Sequence, residues 1–192
     1  MAERLSALSQ MPTAGGSGGR VRLSEVRPGS ILQVQAWPET AQTIRRVITE
    51  LTGVEAPAVG KASAAAGLTV AAVAPGRYLI ASDDADLPQK FQAALPSSDG
   101  GVSDVSHGRV ILRLEGKTAA DVLATSVALD LDPSAFPPGK VTQSMIHHID
   151  VVIHRRGETD FELWVLRSYA DALAEWLLDQ GLPFGIAFGG QQ

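Results

Sequence analysis

The sequence contains no cysteine, and this absence excludes several kinds of chemistry at once. Disulfide bonds, thiolate-ligated metal centres and a cysteine nucleophile cannot occur, and the composition fits a reducing compartment. Hydrophobic residues nevertheless make up 45% of the 192 positions. That fraction is enough to fill the core of one compact domain or of two small, closely joined ones.

Positive charge is also in deficit. The chain has 16 lysines and arginines against 21 aspartates and glutamates, which gives a formal net charge of −5. A chain with this balance has no basic field to attract a nucleic-acid backbone or an anionic membrane surface. We therefore expect neither nucleic acid nor membrane among its partners.

Long apolar runs are missing as well. The most apolar stretch, residues 62–74, is mostly alanine and is shorter than the roughly 20 residues that a bilayer requires. The first 20 residues carry no apolar core of signal-peptide length and include a glycine-rich run at 15–19. We expect a flexible arm over residues 1–22, a globular domain over 23–186 and a separate tail over 187–192. We also expect the protein to be cytoplasmic.

The first half of this domain follows the order β-α-β-β-α. Residues 31–36 are typical of a strand, and the apolar residues of 44–51 recur at helical spacing. Residues 68–73 and 78–81 are apolar runs joined by a Pro-Gly pair, which favours a hairpin. Helical spacing returns over residues 87–95 before a proline ends the element.

The second half repeats this order. Residues 109–115 alternate as a strand, residues 118–125 suit a short helix, and residues 141–154 are expected to pair with 161–167 as one long hairpin. A last helix is expected from Ser168, whose hydroxyl could cap it.

Two pseudo-repeats, over about residues 30–97 and 108–181, therefore predict an α+β fold. It would contain two small antiparallel sheets, each covered on one face by its helices.

A Gly-Lys-Thr string at residues 116–118 is similar to the end of a phosphate-binding loop. Such a loop needs another glycine five positions earlier, where this chain has Ile111. We interpret Thr118 as the cap of the short helix, with Asp121 completing a capping box. No nucleotide or other cofactor site is predicted on this chain.

Residues 104–107 collect the three residue types of a hydrolase triad. Neighbours in an extended chain point to opposite faces, so Ser106 and His107 cannot converge on one substrate. We interpret the segment as a turn that leads into the strand at Arg109, with Asp104 and Ser106 bonded to local backbone. No catalytic residue is predicted.

Three of the four histidines lie in the segment 141–154. If it is one strand, His148, Asp150 and His154 share a face. Positions six residues apart in a strand are separated by about 20 Å, which is too far for one metal shell. We predict no metal site and a solvated or interface face for this strand.

Several polar residues have no internal role that the sequence indicates. Arg167 follows an apolar strand and precedes a helix, where a guanidinium can pair with a carboxylate of another chain. A surface charge is an equal alternative there, and a solvated turn is expected for Arg155 and Arg156. The residues we predict at an interface are Asp104, His107, Arg109, His148 and Arg167.

A set of short strings carries a resemblance to a known family. The strings are Val-Ala-Pro-Gly-Arg-Tyr-Leu-Ile at 73–80, Asp-Val-Ser-His-Gly-Arg-Val at 104–110, Leu-Asp-Leu-Asp-Pro at 129–133, Phe-Pro at 136–137, Arg-Ser-Tyr at 167–169 and Phe-Gly at 184–185. In their order and intervals, from about residue 23 to 185, they resemble the gamma subunits of heterotetrameric sarcosine oxidases.

The resemblance implies a fold similar to the folate-binding domain of the glycine-cleavage T-protein. It also implies a non-catalytic subunit that works beside alpha, beta and delta chains, with no active site on this chain alone. In that family FAD, FMN, NAD and tetrahydrofolate belong to the partner subunits. The complex oxidatively demethylates sarcosine to glycine, with hydrogen peroxide and either formaldehyde or 5,10-methylenetetrahydrofolate as the other products.

Two alternatives remain open. Related complexes such as N-methylglutamate dehydrogenase use a closely similar small subunit, so the N-methyl amino acid is undecided. A free-standing folate-binding protein is the other alternative, because the implied fold binds folate elsewhere. That function needs an acidic residue placed to hold the pterin ring, and the spacing singles none out.

Overall fold

The computed structural model describes residues 5–9, 11 and 20–191. Its strands and α-helices, in chain order, are β1 (Val21–Val26), β2 (Ser30–Ala36), α1 (Ala41–Thr52), β3 (Ala62–Ala65), β4 (Leu68–Ala74), β5 (Arg77–Ser82), α2 (Leu87–Ala94), β6 (Gly100–Asp104), β7 (Arg109–Gly116), α3 (Ala119–Ala124), β8 (Val141–Ile146), β9 (Ile149–Gly157), β10 (Asp160–Leu166), α4 (Ala170–Gly181) and β11 (Ile186–Gln191). They form two compact units. The central unit spans Pro28–Ser106, and the terminal unit combines the described residues up to Arg27 with those from His107 onwards.

The central unit is a five-stranded antiparallel sheet in the order β3-β4-β5-β2-β6, with α1 and α2 contributing to its core. Helix α1 forms where the sequence predicts it, because Ile44, Val47 and Ile48 share one buried face. It ends at Gly53, which adopts a φ of 72° and donates its N–H to the Thr49 carbonyl.

The predicted hairpin of the central unit is present as β4 and β5. Gly76, in the turn, has a φ of 66°, a conformation that glycine adopts without steric cost. Helix α2 buries Leu87 and Phe91 and stops before Leu95, as the helical spacing and the following proline predict.

The terminal unit contains a six-stranded sheet in the order β11-β1-β7-β10-β9-β8. All neighbours are antiparallel except β1 and β11, which run parallel. Val110, Leu112 and Leu114 alternate along β7 into a core that also contains Leu173 and Leu177 of α4. The helices therefore cover the sheet face to which the even-numbered residues of β7 point.

The two units share one order of elements. Strand β2 is followed by α1, β3, β4, β5, α2 and β6, and β7 is followed in the same way by α3, β8, β9, β10, α4 and β11. The sheet orders also correspond, except that β1 is inserted between β7 and β11. The predicted α+β class is confirmed, but the order β-α-β-β-α was incomplete by two strands in each half.

One of the additional strands arises because residues 141–154 are a hairpin, not a single strand. Strand β8 ends at Ile146 and β9 begins at Ile149, and the two residues between them, His147 and His148, have φ values of 45° and 65°. Two consecutive residues at positive φ suit the twist of a two-residue hairpin. The usual Asn-Gly or Gly-Gly signal is missing, so the pattern did not indicate this turn.

The predicted domain boundaries at 23 and 186 are also wrong for the described residues. Val21 and Arg22 lie in β1, and residues 187–191 lie in β11, which pairs with β1. The expectation of a separate tail over 187–192 therefore fails, because this glycine-rich segment satisfies its backbone groups as an edge strand. Residues 12–19, including the glycine-rich run, and residue 192 lie outside the described residues.

Part of the predicted flexible arm packs on the terminal unit. Leu8 is 4% exposed and belongs to its core. The Ser6 hydroxyl donates to the carboxylate of Glu25 and accepts from the Leu8 N–H. An apolar anchor and a buried hydrogen bond offset the entropy of ordering residues 5–9.

Arg155 is not at a solvated turn, as the sequence suggested, but is 2% exposed within β9. Its Nη1 donates to the carbonyls of Leu131 at 2.9 Å and Phe136 at 2.8 Å. Its Nε and Nη2 donate to Gly157 at 3.1 Å and Glu158 at 2.6 Å. One guanidinium thus satisfies four main-chain acceptors and holds the long connection between α3 and β8.

We expect Leu8→Ala to lower the free energy of unfolding by about 2–4 kcal/mol, because it removes buried methyl groups and leaves a cavity. Leu5 lies three residues earlier and is 67% exposed. The Leu5→Ala control should change stability by less than about 0.5 kcal/mol. Urea unfolding of the two full-length variants measures both values, and equal effects would mean that the segment does not pack as described.

We expect Arg155→Met to destabilise the chain by about 3 kcal/mol or more, since buried carbonyls lose their donors. Lys140 also donates to a main-chain carbonyl, that of Ala135, but it is exposed. Lys140→Met is therefore the matched control and should cost under about 1 kcal/mol. Amide hydrogen exchange of residues 125–140 should accelerate only in the Arg155 variant.

Candidate functional site

On the sheet face of the terminal unit opposite α3 and α4, the side chains of four strands form three rows. Each row crosses β7, β10, β9 and β8 in that order, as the strand register places them side by side. The apolar row is Ile111, Trp164, Val152 and Gln143, and the charged row is Arg113, Glu162, His154 and Val141. The exposed row is Arg109, Leu166, Asp150 and Met145, in which Leu166 and Asp150 become neighbours when the register is continued one residue beyond the Val165–Val151 pair.

Two arginines, Arg113 of the charged row and the nearby Arg156, form ion pairs with the carboxylates around this row. Arg113 holds the Asp160 carboxylate in a two-point hydrogen bond, at 3.0 Å from Nε and 2.8 Å from Nη2, and its Nε lies 3.0 Å from Glu115. The hydrogen bonds that Arg113 donates to the Asp160 carboxylate raise the pKa of its guanidinium. Arg156 lies 3.7 Å from Asp160 and 3.4 Å from Glu162, so it links the two carboxylates.

Glu162 and His154 form the buried end of this network. They are 4% and 2% exposed, and His154 Nδ1 lies 3.2 Å from Glu162 Oε2. The indole N–H of Trp164 donates to the same oxygen at 3.4 Å. Both oxygens of Glu162 and the Nδ1 of His154 thus have partners within the chain, which favours a structural network over an acid and base waiting for a substrate.

Sequence analysis did not identify this pair, although a signal was present. Glu162 and His154 are direct cross-strand neighbours in a hairpin. Side chains at directly facing positions of paired strands lie close enough to interact. The prediction missed the pair because it treated the histidine strand alone and did not align it with the strand that follows.

In the exposed row, Arg109 is half-buried and has no hydrogen bond or ion pair with any described residue. Burial lowers the pKa of its guanidinium from its ordinary value. The side chain lines a cavity of about 320 Å³ together with Asp150 and Leu166. Leu166 is 44% exposed, and Met145, at the far end of the row, is 59% exposed.

Arg167 lines a second, open cavity of about 560 Å³, which also contains Leu166 and Ser6. Leu166 therefore separates the cavities beside the two predicted interface arginines. Arg167 has an internal role that the prediction did not assign, since its Nη2 donates to the carbonyl of Leu5 at 2.7 Å.

Asp104 also has an internal role. Its Oδ1 accepts from the N–H of Ser106 at 2.9 Å and from the Ser106 hydroxyl at 2.5 Å. Ser106 in turn accepts the Ile31 N–H at 2.8 Å. Asp104 thus bonds local backbone as expected, although it ends β6, whereas the backbone partner of the Ser106 hydroxyl is the distant Ile31 and not a local group. The assumption that Asp104 lacks an internal partner is wrong. His107 is exposed.

His148 does not share a strand face with Asp150 and His154, because it lies in the turn between β8 and β9. It is exposed, while its neighbour His147 stacks on Trp176 with ring centroids 3.7 Å apart. Within the part of the chain that the structure describes, no three potential ligands come together as a metal site.

The Gly-Lys-Thr string has a structural explanation. Gly116 has a φ of 136°, and a Cβ there would lie 2.1 Å from the Arg20 carbonyl, so only glycine lets the two strands approach this closely. Thr118 precedes α3, but its hydroxyl donates to the Phe184 carbonyl at 3.5 Å and not to its own helix. The predicted capping interaction is therefore wrong.

We expect Glu162→Gln to lower the free energy of unfolding by about 1–3 kcal/mol, because the amide places donors against the donors that surround the carboxylate. Glu158 is exposed and uses only its main-chain carbonyl in the interactions above. Glu158→Gln is the control and should be neutral within about 0.5 kcal/mol. Urea unfolding near pH 7 compares them, and equal stabilities would contradict the network.

The comparisons with known proteins cover most of the chain. The model of the sarcosine oxidase, gamma subunit family matches residues 39–182. The sarcosine oxidase subunit gamma of Corynebacterium sp. (strain U-96) is 32% identical over 170 residues, covering 87% of this chain and 82% of that protein.

Solved structures agree with this match. One chain of the heterotetrameric sarcosine oxidase from Corynebacterium sp. U-96, in complex with pyrrole 2-carboxylate, superimposes with a TM-score of 0.83 at 30% identity, covering 95% of this chain and 96% of that one. The glycine cleavage system aminomethyltransferase T from Bartonella henselae gives a TM-score of 0.62 at 18% identity, covering 90% of this chain and 48% of that one. The latter shows the expected T-protein-like fold. The former, together with the family match, shows that the chain belongs to the sarcosine oxidase gamma subunit family.

Proposed function

We propose that this chain is the non-catalytic gamma subunit of a heterotetrameric sarcosine oxidase. The observation that carries the proposal is the common fold, at 30% identity, over nearly the full length of this chain and of a chain of the Corynebacterium enzyme. In such a complex sarcosine would be demethylated oxidatively to glycine, yielding hydrogen peroxide and either formaldehyde or 5,10-methylenetetrahydrofolate.

The partners we propose are alpha, beta and delta subunits, which would hold FAD, FMN, NAD and tetrahydrofolate. The polar groups of this chain support the assignment of these cofactors to the partner subunits. Among the described residues the buried carboxylates are Glu25 and Glu162. Glu25 already accepts from Ser6, and Glu162 from Trp164, with His154 beside it.

A pterin ring would need a carboxylate that is available to accept its N–H groups. Neither buried carboxylate meets that need. A free-standing folate-binding protein is therefore not favoured. A subunit of an N-methylglutamate dehydrogenase is not favoured either, because the relatives found are sarcosine oxidase subunits.

The proposed interface remains the set Asp104, His107, Arg109, His148 and Arg167. Among the described residues, no helix combines the length and apolar character needed to cross a membrane. We place the complex in the cytoplasm, a reducing compartment that suits a subunit without cysteine.

We expect the chain purified alone to be colourless and to show no sarcosine-dependent formation of hydrogen peroxide. Co-expression with the three candidate partner subunits should yield a flavin-containing complex that retains this chain through size-exclusion chromatography and oxidises sarcosine. Leaving out this chain is the control, and it should lower the yield of intact complex. A yellow preparation of the isolated chain that turns over sarcosine would contradict the proposal.

A further inference from the structure

We infer that the exposed row binds a segment of a partner subunit that presents a carboxylate to Arg109 and an apolar side chain to Leu166. The inference rests on the proposed function and deepens it, because it names one surface of the terminal unit and the chemistry of what covers it.

The carboxylate follows from the state of Arg109. Its guanidinium is half-buried, and no described residue accepts from its donors or offsets its charge. Partial burial of an unpaired cation is unfavourable, and a carboxylate that accepts two of its N–H groups is the partner that best relieves the cost. Asp150 lines the same cavity without pairing with Arg109.

The apolar contact follows from Leu166 and Met145. These side chains are 44% and 59% exposed and lie in the same row as Arg109. Arginine and methionine are enriched in protein interfaces. Exposed apolar groups beside an unpaired cation favour a partner that presents both an apolar side chain and a negative charge. Because the row lies on hydrogen-bonded strands, binding requires little ordering of the backbone.

The register also predicts how the partner segment is oriented. Arg109 and Asp150 lie on either side of Leu166, about two strand spacings or 10 Å apart. A partner segment that runs along the row would therefore place its carboxylate over β7 and a hydrogen-bond donor or cation over β9. The apolar residue between them would meet Leu166.

The first test compares Arg109→Met with Arg46→Met in binding of the full-length chain to the purified partner subunits. Arg46 is the control because its side chain is 70% exposed and pairs only with Glu50 of its own helix among the contacts described. We expect Arg109→Met to weaken association at least tenfold and Arg46→Met to leave it unchanged. The melting temperature of the isolated Arg109 variant should not fall, since it loses an unpaired cation but no hydrogen bond or ion pair, and methionine retains the apolar part of the side chain.

A second pair of variants tests the apolar contact. Leu166→Ala should weaken association several-fold, whereas Leu182→Ala, at a residue that is 70% exposed, should have no effect. If Arg109→Met and Leu166→Ala both assemble with wild-type affinity, the inference is wrong. Loss of assembly accompanied by a matching loss of stability in the isolated chain would also overturn it, because the residues would then serve the fold.

A zero-length crosslink identifies the partner group. Arg109→Lys introduces an amine at the same position, and a carbodiimide should join it to an aspartate or glutamate of a partner subunit. The Arg46→Lys control should give no crosslink between subunits. A crosslink from position 109 only to this chain's own carboxylates would contradict the inference, and failure of the wild-type chain to join the partner subunits would remove the proposed function as well.

Discussion

The register of β10 between β7 and β9 is the constraint on which the terminal unit depends. Pairing of Phe161 with Leu114, and of Trp164 with Ile111, sends alternate residues of β10 to opposite faces of the sheet. A slip by one residue would move Glu162 into the apolar core and bring Phe161 out of it. The core, the charged row and the exposed row therefore have one common structural origin.

An irregularity in this pairing explains why two adjacent arginines behave so differently. Asp160 faces Gly157 and Phe161 faces Arg155, so Arg156 is an extra residue in β9. Such a bulge changes the direction of the side chains around it. Arg155 points to the helix side, with its guanidinium 5.2 Å from the centre of the Phe161 ring, whereas Arg156 joins the carboxylates on the other face.

Local patterns predicted those parts of the fold that local interactions determine. Helix α1 could be identified because its apolar spacing and Gly53 lie within one segment, and the β4–β5 hairpin because its turn contains Pro-Gly. The turn at His147 and His148 was missed because neither residue usually adopts positive φ. The burial of Arg155 was missed because its acceptors at Leu131 and Phe136 lie 24 and 19 residues away, and nothing in the sequence indicates such a contact.

The sequence suggested which polar residues belong to the candidate interface, but it could not show which of them have partners within the chain. Arg109, Arg113 and Arg155 are similar in sequence terms, yet Arg155 is satisfied by carbonyls and Arg113 by carboxylates. They differ from Arg109 only in their contacts with residues distant in sequence, because Arg109 pairs with no described residue. Because a partly buried cation is stable only with compensation, the groups that this chain satisfies by itself stabilise its fold. Arg109 is not satisfied by any described residue, and it is the position at which we propose that a second chain completes the structure.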